Sequence, residues 1–420
     1  VPDFEFLHAA DLHLDSPLRG LDADAPADRI RGATREALIK LVDLALERRV
    51  AFLLLAGDLY DGDWKDWRTG HFLIEQLSRL KRAGIEIIAI SGNHDAEQVL
   101  TRNLKLPFPG TMLPSRKPDT HRLHDLEVAI HGQSFATRAV TENLARLYPR
   151  PDSGWFNIGL LHTACESTDH EPYAPCTEAE LAAHGYDYWA LGHVHTRREI
   201  RRGDCRIVFP GNIQGRHIRE EGAKGATLVR VAAGRIEAVE HHALDVLRWK
   251  HVNVDATGAA DTDAVLARTE VLLDQALIEA DGRLLAVRVT VTGACAAHAA
   301  MARRPEDFRA QVRAAALGFA DGIELWIEDV RIRTRPEAAL STQSGAVGDL
   351  AAALDRTPAI DQAMHDFISQ LVKDPELLER DHPALAIREG KPGDPVPADL
   401  VERARAVLLA ELRAGSSRAS

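Results

Sequence analysis

Cysteine, methionine and aromatic residues are scarce in this chain, and no stretch of it is uniformly apolar. Four cysteines occur in 420 residues, Cys165, Cys176, Cys205 and Cys295, none of them in a C-x-x-C arrangement. That spacing speaks against a cysteine zinc knot or a redox pair and predicts reduced thiols. No run approaches the roughly 18 consecutive apolar residues of a membrane-spanning helix. The opening Val1-Pro2-Asp3-Phe4-Glu5-Phe6 lacks the basic start and apolar run of a secretory leader. These absences together predict a cytoplasmic protein with no membrane association.

Positive charge is in deficit too. Lys plus Arg number 51 against 63 Asp plus Glu, a formal net charge of −12, and no segment is basic on average. A broad basic surface for nucleic acid or anionic lipid is thereby excluded. Any phosphate-binding surface must be local or built from metal ions. What is present is 45% hydrophobic and 27% charged residues, the profile of a globular chain with a sizeable core. The length predicts two or three domains.

Along the first half, short apolar runs alternate with amphipathic stretches. Strands are expected at Phe4–Ala10, Ala51–Ala56 and Ile85–Ile90, with helices at Ala27–Arg49 and Asp66–Ala83 between them. Further strands are expected at Glu127–His131, Phe156–His162, Tyr188–Leu191, Ile207–Pro210 and Ala226–Val231. This order predicts a layered α/β domain over residues 1–245, with antiparallel additions at its end. A smaller α+β block follows over 246–340, with strands at Arg248–Val254, Leu284–Val291 and Ile323–Arg333 and helices at Asp261–Ala280 and Pro305–Leu317. Residues 341–420 are expected to be a helical C-terminal region, with amphipathic runs at 345–373 and 398–412 separated by a Pro/Gly-rich connector. These helices either pack on their own chain or dock a partner.

Five short segments carry chemistry, each at the end of an expected strand. They are Asp11-Leu12-His13, Gly57-Asp58-Leu59-Tyr60-Asp61, Gly92-Asn93-His94-Asp95, Leu161-His162-Thr163 and Gly192-His193-Val194-His195. In open α/β sheets the crevice beyond the carboxyl ends of the strands is where sites form, so loops distant in sequence can converge there. The donors are carboxylate, imidazole and amide with no thiolate, a set suited to Mn²⁺, Fe²⁺, Mg²⁺ or catalytic Zn²⁺. In Asp-x-His and His-x-His, side chains two residues apart on an extended segment share one side. Asp11, His13, Asp58, Asn93, His162, His193 and His195 exceed what one ion needs and suffice for two divalent metal ions if Asp58 bridges.

The series D-x-H, G-D-x-x-D, G-N-H-D, H and G-H-x-H resembles the calcineurin-like metallophosphoesterases. Ala10-Asp11-Leu12-His13-Leu14-Asp15-Ser16-Pro17, His131-Gly132-Gln133-Ser134-Phe135 and Pro210-Gly211-Asn212-Ile213-Gln214-Gly215-Arg216 narrow the resemblance to the SbcD-like DNA repair nucleases, in their YhaO branch. The resemblance implies a four-layer α/β/β/α sandwich with a small α+β cap domain. It places one ion on Asp11, His13, Asp58 and His195, and the second on Asp58, Asn93, His162 and His193, with Mn²⁺ as the usual metal. It also implies DNA, single-stranded or at ends, as substrate, an SMC-like coiled-coil ATPase as partner, and a possible homodimer.

His94, adjacent to Asn93 and not needed as a ligand, is then the candidate to stabilise the transition state or protonate the leaving oxygen, with Asp95 orienting its ring. Asp15 and Asp61 are placed to accept from metal-bound imidazoles or to cap their loops. Arg216, His217, Arg219 and Lys224 either meet backbone phosphates or are simply solvated. Trp64 and Trp67 either stack a base or pack at a helix start. The expected function is metal-dependent DNA hydrolysis. The alternatives are a phosphodiesterase or phosphatase acting on a small nucleotide, and a scaffold for an SMC-like ATPase.

Overall fold

The structure is a computed structural model that describes residues 1–16, 26–61, 68–97, 108–167, 171–319 and 325–337. The expected tail helices and both Trp64 and Trp67 lie outside the described residues. The chain divides into two compact units, Val1–Trp249 and Lys250–Ser420.

In the first unit, β1 (Phe4–Ala9), β2 (Phe52–Ala56) and β3 (Glu86–Ile90) run parallel, linked by helices α1 (Ala27–Arg48) and α2 (Arg68–Arg82). With β4 (Thr111–Met112), β11 (Gly225–Ala232) and β12 (Arg235–Ala243) they form one six-stranded sheet, ordered β12-β11-β1-β2-β3-β4. The second six-stranded sheet has the order β5-β6-β7-β8-β10-β9. It comprises β5 (Asp119–Leu123), β6 (Val128–Gly132), β7 (Phe156–His162), β8 (Tyr188–Gly192), β9 (Arg198–Arg202) and β10 (Cys205–Phe209).

The strand pattern dictates the layering, because successive side chains point to opposite faces. Phe6 faces the other sheet, where Phe6 and Phe52 stack at 4.9 Å and Ile88, Phe156, Ile158, Tyr188 and Val208 complete the interior. Leu7, Leu53, Leu55 and Ile87 face the other way, onto Leu38 and Leu41 of α1 and Leu73 and Leu77 of α2. On the outer face of the second sheet, Leu161, Trp189, Ile207 and Phe209 pack with Leu181 of the short helix α4 (Glu178–Ala183). The result is the expected helix/sheet/sheet/helix sandwich. Each fully buried Leu or Phe in these layers contributes roughly 1.5–3 kcal/mol. A further short helix, α3 (Asn93–Glu97), follows β3.

Helix α1 forms because Ile30, Ala33, Ala37, Leu38, Leu41, Val42 and Ala45 fall on one face. It ends where Arg49 turns left-handed, its N–H still bonded to the carbonyls of Ala45 and Leu46.

β13 (Leu247–Asp255), α5 (Thr262–Ala280), β14 (Leu284–Ala294), α6 (His298–Arg303), α7 (Pro305–Leu317) and β15 (Leu325–Arg335) follow, their strands ordered β13-β14-β15. Val254, Val287, Val289, Leu273, Phe308, Val312 and Ile327 form a separate core. Leu247 and Trp249 at the start of β13 bond to Gln214 and Gly215, which ties those residues to the first unit rather than to the second. Among the described residues, no helix is long and apolar enough to cross a membrane, and all four cysteines are free and buried.

Candidate metal centre

The site lies where β1, β2, β3, β7 and β8 end. Beyond β1 and β2 the two loops continue side by side: Asp11 N–H donates to Gly57 O (3.0 Å), His13 N–H to Asp58 O (3.1 Å) and Leu14 N–H to Leu59 O (3.2 Å). This pinning holds several residues in the left-handed region, with φ of 52° at Asp11, 42° at His13 and 51° at Asp58; His193, whose N–H donates to the Asp11 carboxylate, has φ 92°. Such conformations cost about 1–3 kcal/mol each and persist only where the surroundings impose them. Here they turn successive donors into one crevice. Gly57 sits at φ 90°, and a Cβ there would come within 2.6 Å of His162 Nδ1 and 2.9 Å of Gly92 N, so the approach of the loops requires glycine.

Two donor groups result, Asp11-His13-His195 and Asp58-His162-His193, and a third, His13-Asp58-His94, overlaps both. His13 Nε2 and His195 Nε2 converge to 3.1 Å, with Asp11 Oδ1 4.0 Å from His195 Nε2 and Asp58 Oδ2 3.9 Å from His13 Nε2. His162 Nε2 lies 3.4 Å from Asp58 Oδ2 and 3.0 Å from Asn93 Oδ1. The tautomers favour this use. His162 Nδ1–H donates to Ala56 O (2.8 Å), which leaves Nε2 free to ligate. His195 Nδ1–H donates to Glu220 Oε1 (2.7 Å), again leaving Nε2, and His193 Nε2–H donates to Glu171 O (2.9 Å), leaving Nδ1. Imidazole nitrogens facing each other beside buried carboxylates fit divalent cations, and all seven expected ligands are brought together.

The electrostatics agree. Burial pushes Asp11 up to about 6, and the Asp58 charge adds to the rise. Burial pushes His13 down to about 4, assisted by Arg216. At His162 burial opposes the charge, but the adjoining Asp58 prevails and raises the pKa to about 9. Burial likewise opposes the Asp58 charge, and His162 nevertheless holds that carboxyl well below the usual range. A cation bound there would have to displace a proton from His162, which would make its binding pH-dependent.

His94 stands at the rim, its side chain 29% exposed, with the ring 4.9 Å from that of His13. Its orientation corrects the expectation from sequence. The carboxylate beside the ring belongs to Asp61, whose Oδ1 is 3.1 Å from His94 Nδ1. Asp95 instead accepts from the backbone N–H groups of Leu59 (3.0 Å), Tyr60 (3.2 Å) and Gly92 (3.0 Å), locking two ligand loops together. Adjacent residues on a helical turn point apart, so Asp95 braces the backbone rather than the imidazole.

Of the other two candidates for supporting roles, Asp61 also approaches His13 Nδ1 at 3.8 Å, whereas Asp15 pairs with Arg35 (2.7 Å) and accepts from Thr69. Arg216 is largely buried and spans Asp61 and Glu220, and Lys224 Nζ donates to His195 O at 2.8 Å. Those two cations therefore brace the site from within, while His217 and Arg219 lie at the surface. Glu220, which supports His195, carries almost no signal in the sequence. The only hint is the Arg216-to-Glu220 spacing of four residues.

Comparison with known proteins places this geometry. Residues 4–197 match the calcineurin-like phosphoesterase family, and residues 249–335 match the middle domain of metallophosphoesterase YhaO. The chain is 37% identical over 276 residues to the uncharacterized metallophosphoesterase YhaO of Bacillus subtilis, covering 64% of this chain and 67% of that protein. The chain belongs to the calcineurin-like metallophosphoesterases. As a member of that family it is a phosphoesterase hydrolase with a centre for divalent metals. It is also similar to the DNA double-strand break repair protein Mre11 of Sulfurisphaera tokodaii, at 28% identity over 58% of this chain and 63% of that one. The Mre11 of Methanopyrus kandleri is 28% identical over 49% of this chain and 48% of its own length. The chain thus spans only about half to two thirds of the curated relatives it matches.

Proposed function

We propose that this metallophosphoesterase is a Mn²⁺-dependent nuclease that hydrolyses phosphodiester bonds of DNA, single-stranded or at ends, in repair or end processing. The observation that carries the reading is the pair of donor groups with Asp58 Oδ2 between them, 3.9 Å from His13 Nε2 and 3.4 Å from His162 Nε2, and with His94 at the rim. The likeness to Mre11 proteins supports DNA over a small nucleotide.

Asp11, His13, Asp58 and His195 would hold one cation, and Asp58, Asn93, His162 and His193 the other. Two divalent cations supply Lewis-acid polarisation of the phosphoryl oxygens and a water acidic enough to attack at neutral pH. The residues do the rest. The left-handed turns at Asp11, His13 and Asp58 aim donors inward before substrate arrives. His94, its Nδ1 held by Asp61 at the rim of the site, delivers a proton to the leaving oxygen. Burial pushes the His94 pKa down, but the Asp61 hydrogen bond and the Asp58 charge outweigh it and raise it above the ordinary histidine value.

End-labelled single- and double-stranded DNA, a cyclic nucleotide and a phosphomonoester, each incubated with the full chain and Mn²⁺, test the proposal. Mn²⁺-dependent cleavage of DNA, lost on chelation, is expected. Turnover of the cyclic nucleotide with intact DNA would replace this reading with that of a small-nucleotide phosphodiesterase. An SMC-like coiled-coil ATPase is the proposed partner, docked through residues 341–420, and a second copy of this chain is a further proposed partner. Equal recovery of the ATPase by full chain and by a chain ending at residue 340 would rule out that docking site.

A further inference from the structure

The loop from Gly211 to Glu220 contributes no ligand, yet it closes a charged path around one side of the centre. Glu220, its side chain 5% exposed, accepts from His195 Nδ1 through Oε1 (2.7 Å). Its Oε2 accepts from the Arg216 backbone N–H (2.8 Å) and from Asn212 Nδ2 (2.9 Å). The Arg216 guanidinium, 15% exposed, spans two carboxylates: Nη2 donates to Glu220 Oε1 at 2.8 Å and Nη1 to Asp61 Oδ2 at 3.2 Å. The other oxygen of Asp61 meets His94 Nδ1. The path His195–Glu220–Arg216–Asp61–His94 is continuous, and its two ends are a metal ligand and the proton donor.

We propose that Arg216 and Glu220 are positioning residues that set the orientations of His195 and His94 as one unit. The inference rests on the phosphodiesterase reading of the centre, not on DNA as the substrate. Two carboxylates held near each other in a buried site repel unless a cation lies between them. A planar guanidinium lies between them, donates to both and fixes their separation, whereas the ammonium of lysine carries the same charge without the two-edged geometry. A loop anchor alone would not need its two hydrogen-bonding edges to face carboxylates that each hold a histidine of the site.

The test uses the metal-free full chain titrated calorimetrically with Mn²⁺, and Mn²⁺-loaded chain hydrolysing bis-p-nitrophenyl phosphate. The variants are Glu220→Gln, Asp61→Asn and their combination, each with and without Arg216→Lys. Glu220→Gln weakens one of two Mn²⁺ binding events about 10–100-fold and leaves the other unchanged. Asp61→Asn lowers kcat with KM unchanged. Because Arg216 joins them, the double variant loses less kcat than the product of the single losses, by more than the factor of about 2 expected of independent sites. With Arg216→Lys the two losses multiply. Arg216→Lys keeps the buried charge, and melting of each metal-free variant verifies folding.

Losses that multiply in the Arg216 background, or unchanged Mn²⁺ affinity in folded Glu220→Gln, overturn the proposal. A wild-type chain inert toward the diester would instead overturn the phosphodiesterase reading. The Mn²⁺ titration would then still decide whether Glu220 orients His195.

Discussion

The two halves of the metal centre are backed by different kinds of neighbour. His195, in one half, rests on the Glu220 carboxylate, which is held in turn by Arg216. His162 and His193, in the other, rest on the main-chain carbonyls of Ala56 and Glu171. A carbonyl oxygen neither titrates nor disappears when its side chain is replaced. The second half is therefore built by backbone geometry, and its weak points are glycines: a Cβ on Gly192 would collide with Ala56 O and lie 2.9 Å from His162 Nδ1. The first half depends on side chains delivered by a loop, so residues that touch no cation can disable it.

The largest effect is expected where the halves meet. Asp58→Asn removes the carboxylate next to both His13 and His162. Calorimetry should show both Mn²⁺ events weakened, with hydrolysis near background; loss of only one event would mean that Asp58 is not shared. Next comes His94→Asn, which leaves all seven expected ligands of the two halves in place and removes the imidazole beside His13. Turnover should fall about 10²–10⁴-fold, the usual contribution of a general acid, with two cations still bound. Undiminished turnover in that metal-loaded variant would remove His94 from the chemistry.

A matched pair then separates the halves. Both Glu220 and Glu171 receive a hydrogen bond from a histidine of the centre, one through its side chain and the other through its backbone. Glu220→Gln should cost about 10–100-fold in affinity at one site. Glu171→Ala, which leaves the carbonyl in place, should match wild type in both Mn²⁺ events. Equal losses from the two would mean that the distinction between side-chain and main-chain backing has no functional consequence.

The same distinction explains what could be read from the sequence. Ligands were legible because each follows an apolar strand and three of the five segments bring a glycine, so residue type and position agree. Buried strands such as Phe156–His162 were legible for the same reason. The strands that sequence pattern does not reveal, β4, β5, β9 and β12, are the edges of the two sheets. Edge strands carry charged residues, as in Arg198–Arg202, and so lose the apolar signature. Sequence adjacency suggested Asp95 as the partner of His94, whereas the fold supplied Asp61 from another loop. Glu220, 25 residues beyond His195, has only its four-residue spacing from Arg216 as a local signal, and its contact with the centre appears once the loop closes.

The smallest effect on the centre is expected from a residue buried beneath it that belongs to neither half. His8 is fully buried between the sheets, its Nδ1 3.0 Å from the Tyr188 hydroxyl, and burial lowers its pKa from 6.5 to about 3. The sign follows from proton counting. Between those two values the unfolded chain binds a proton at this position and the native chain does not, so acid favours unfolding. The stabilising contribution is whole above pH 6.5 and fades as pH falls towards 3. Replacement by a residue that does not titrate, His8→Asn, should therefore flatten the acid limb of stability. Urea unfolding at pH 7.5 and pH 4 should show a pH-dependent loss smaller by about 3 kcal/mol than in wild type. Mn²⁺ binding at pH 7.5 should be unchanged in both events. A variant with the wild-type acid limb would show that His8 is protonated in the native state, and a variant with altered Mn²⁺ affinity would tie this buried histidine to one half of the centre.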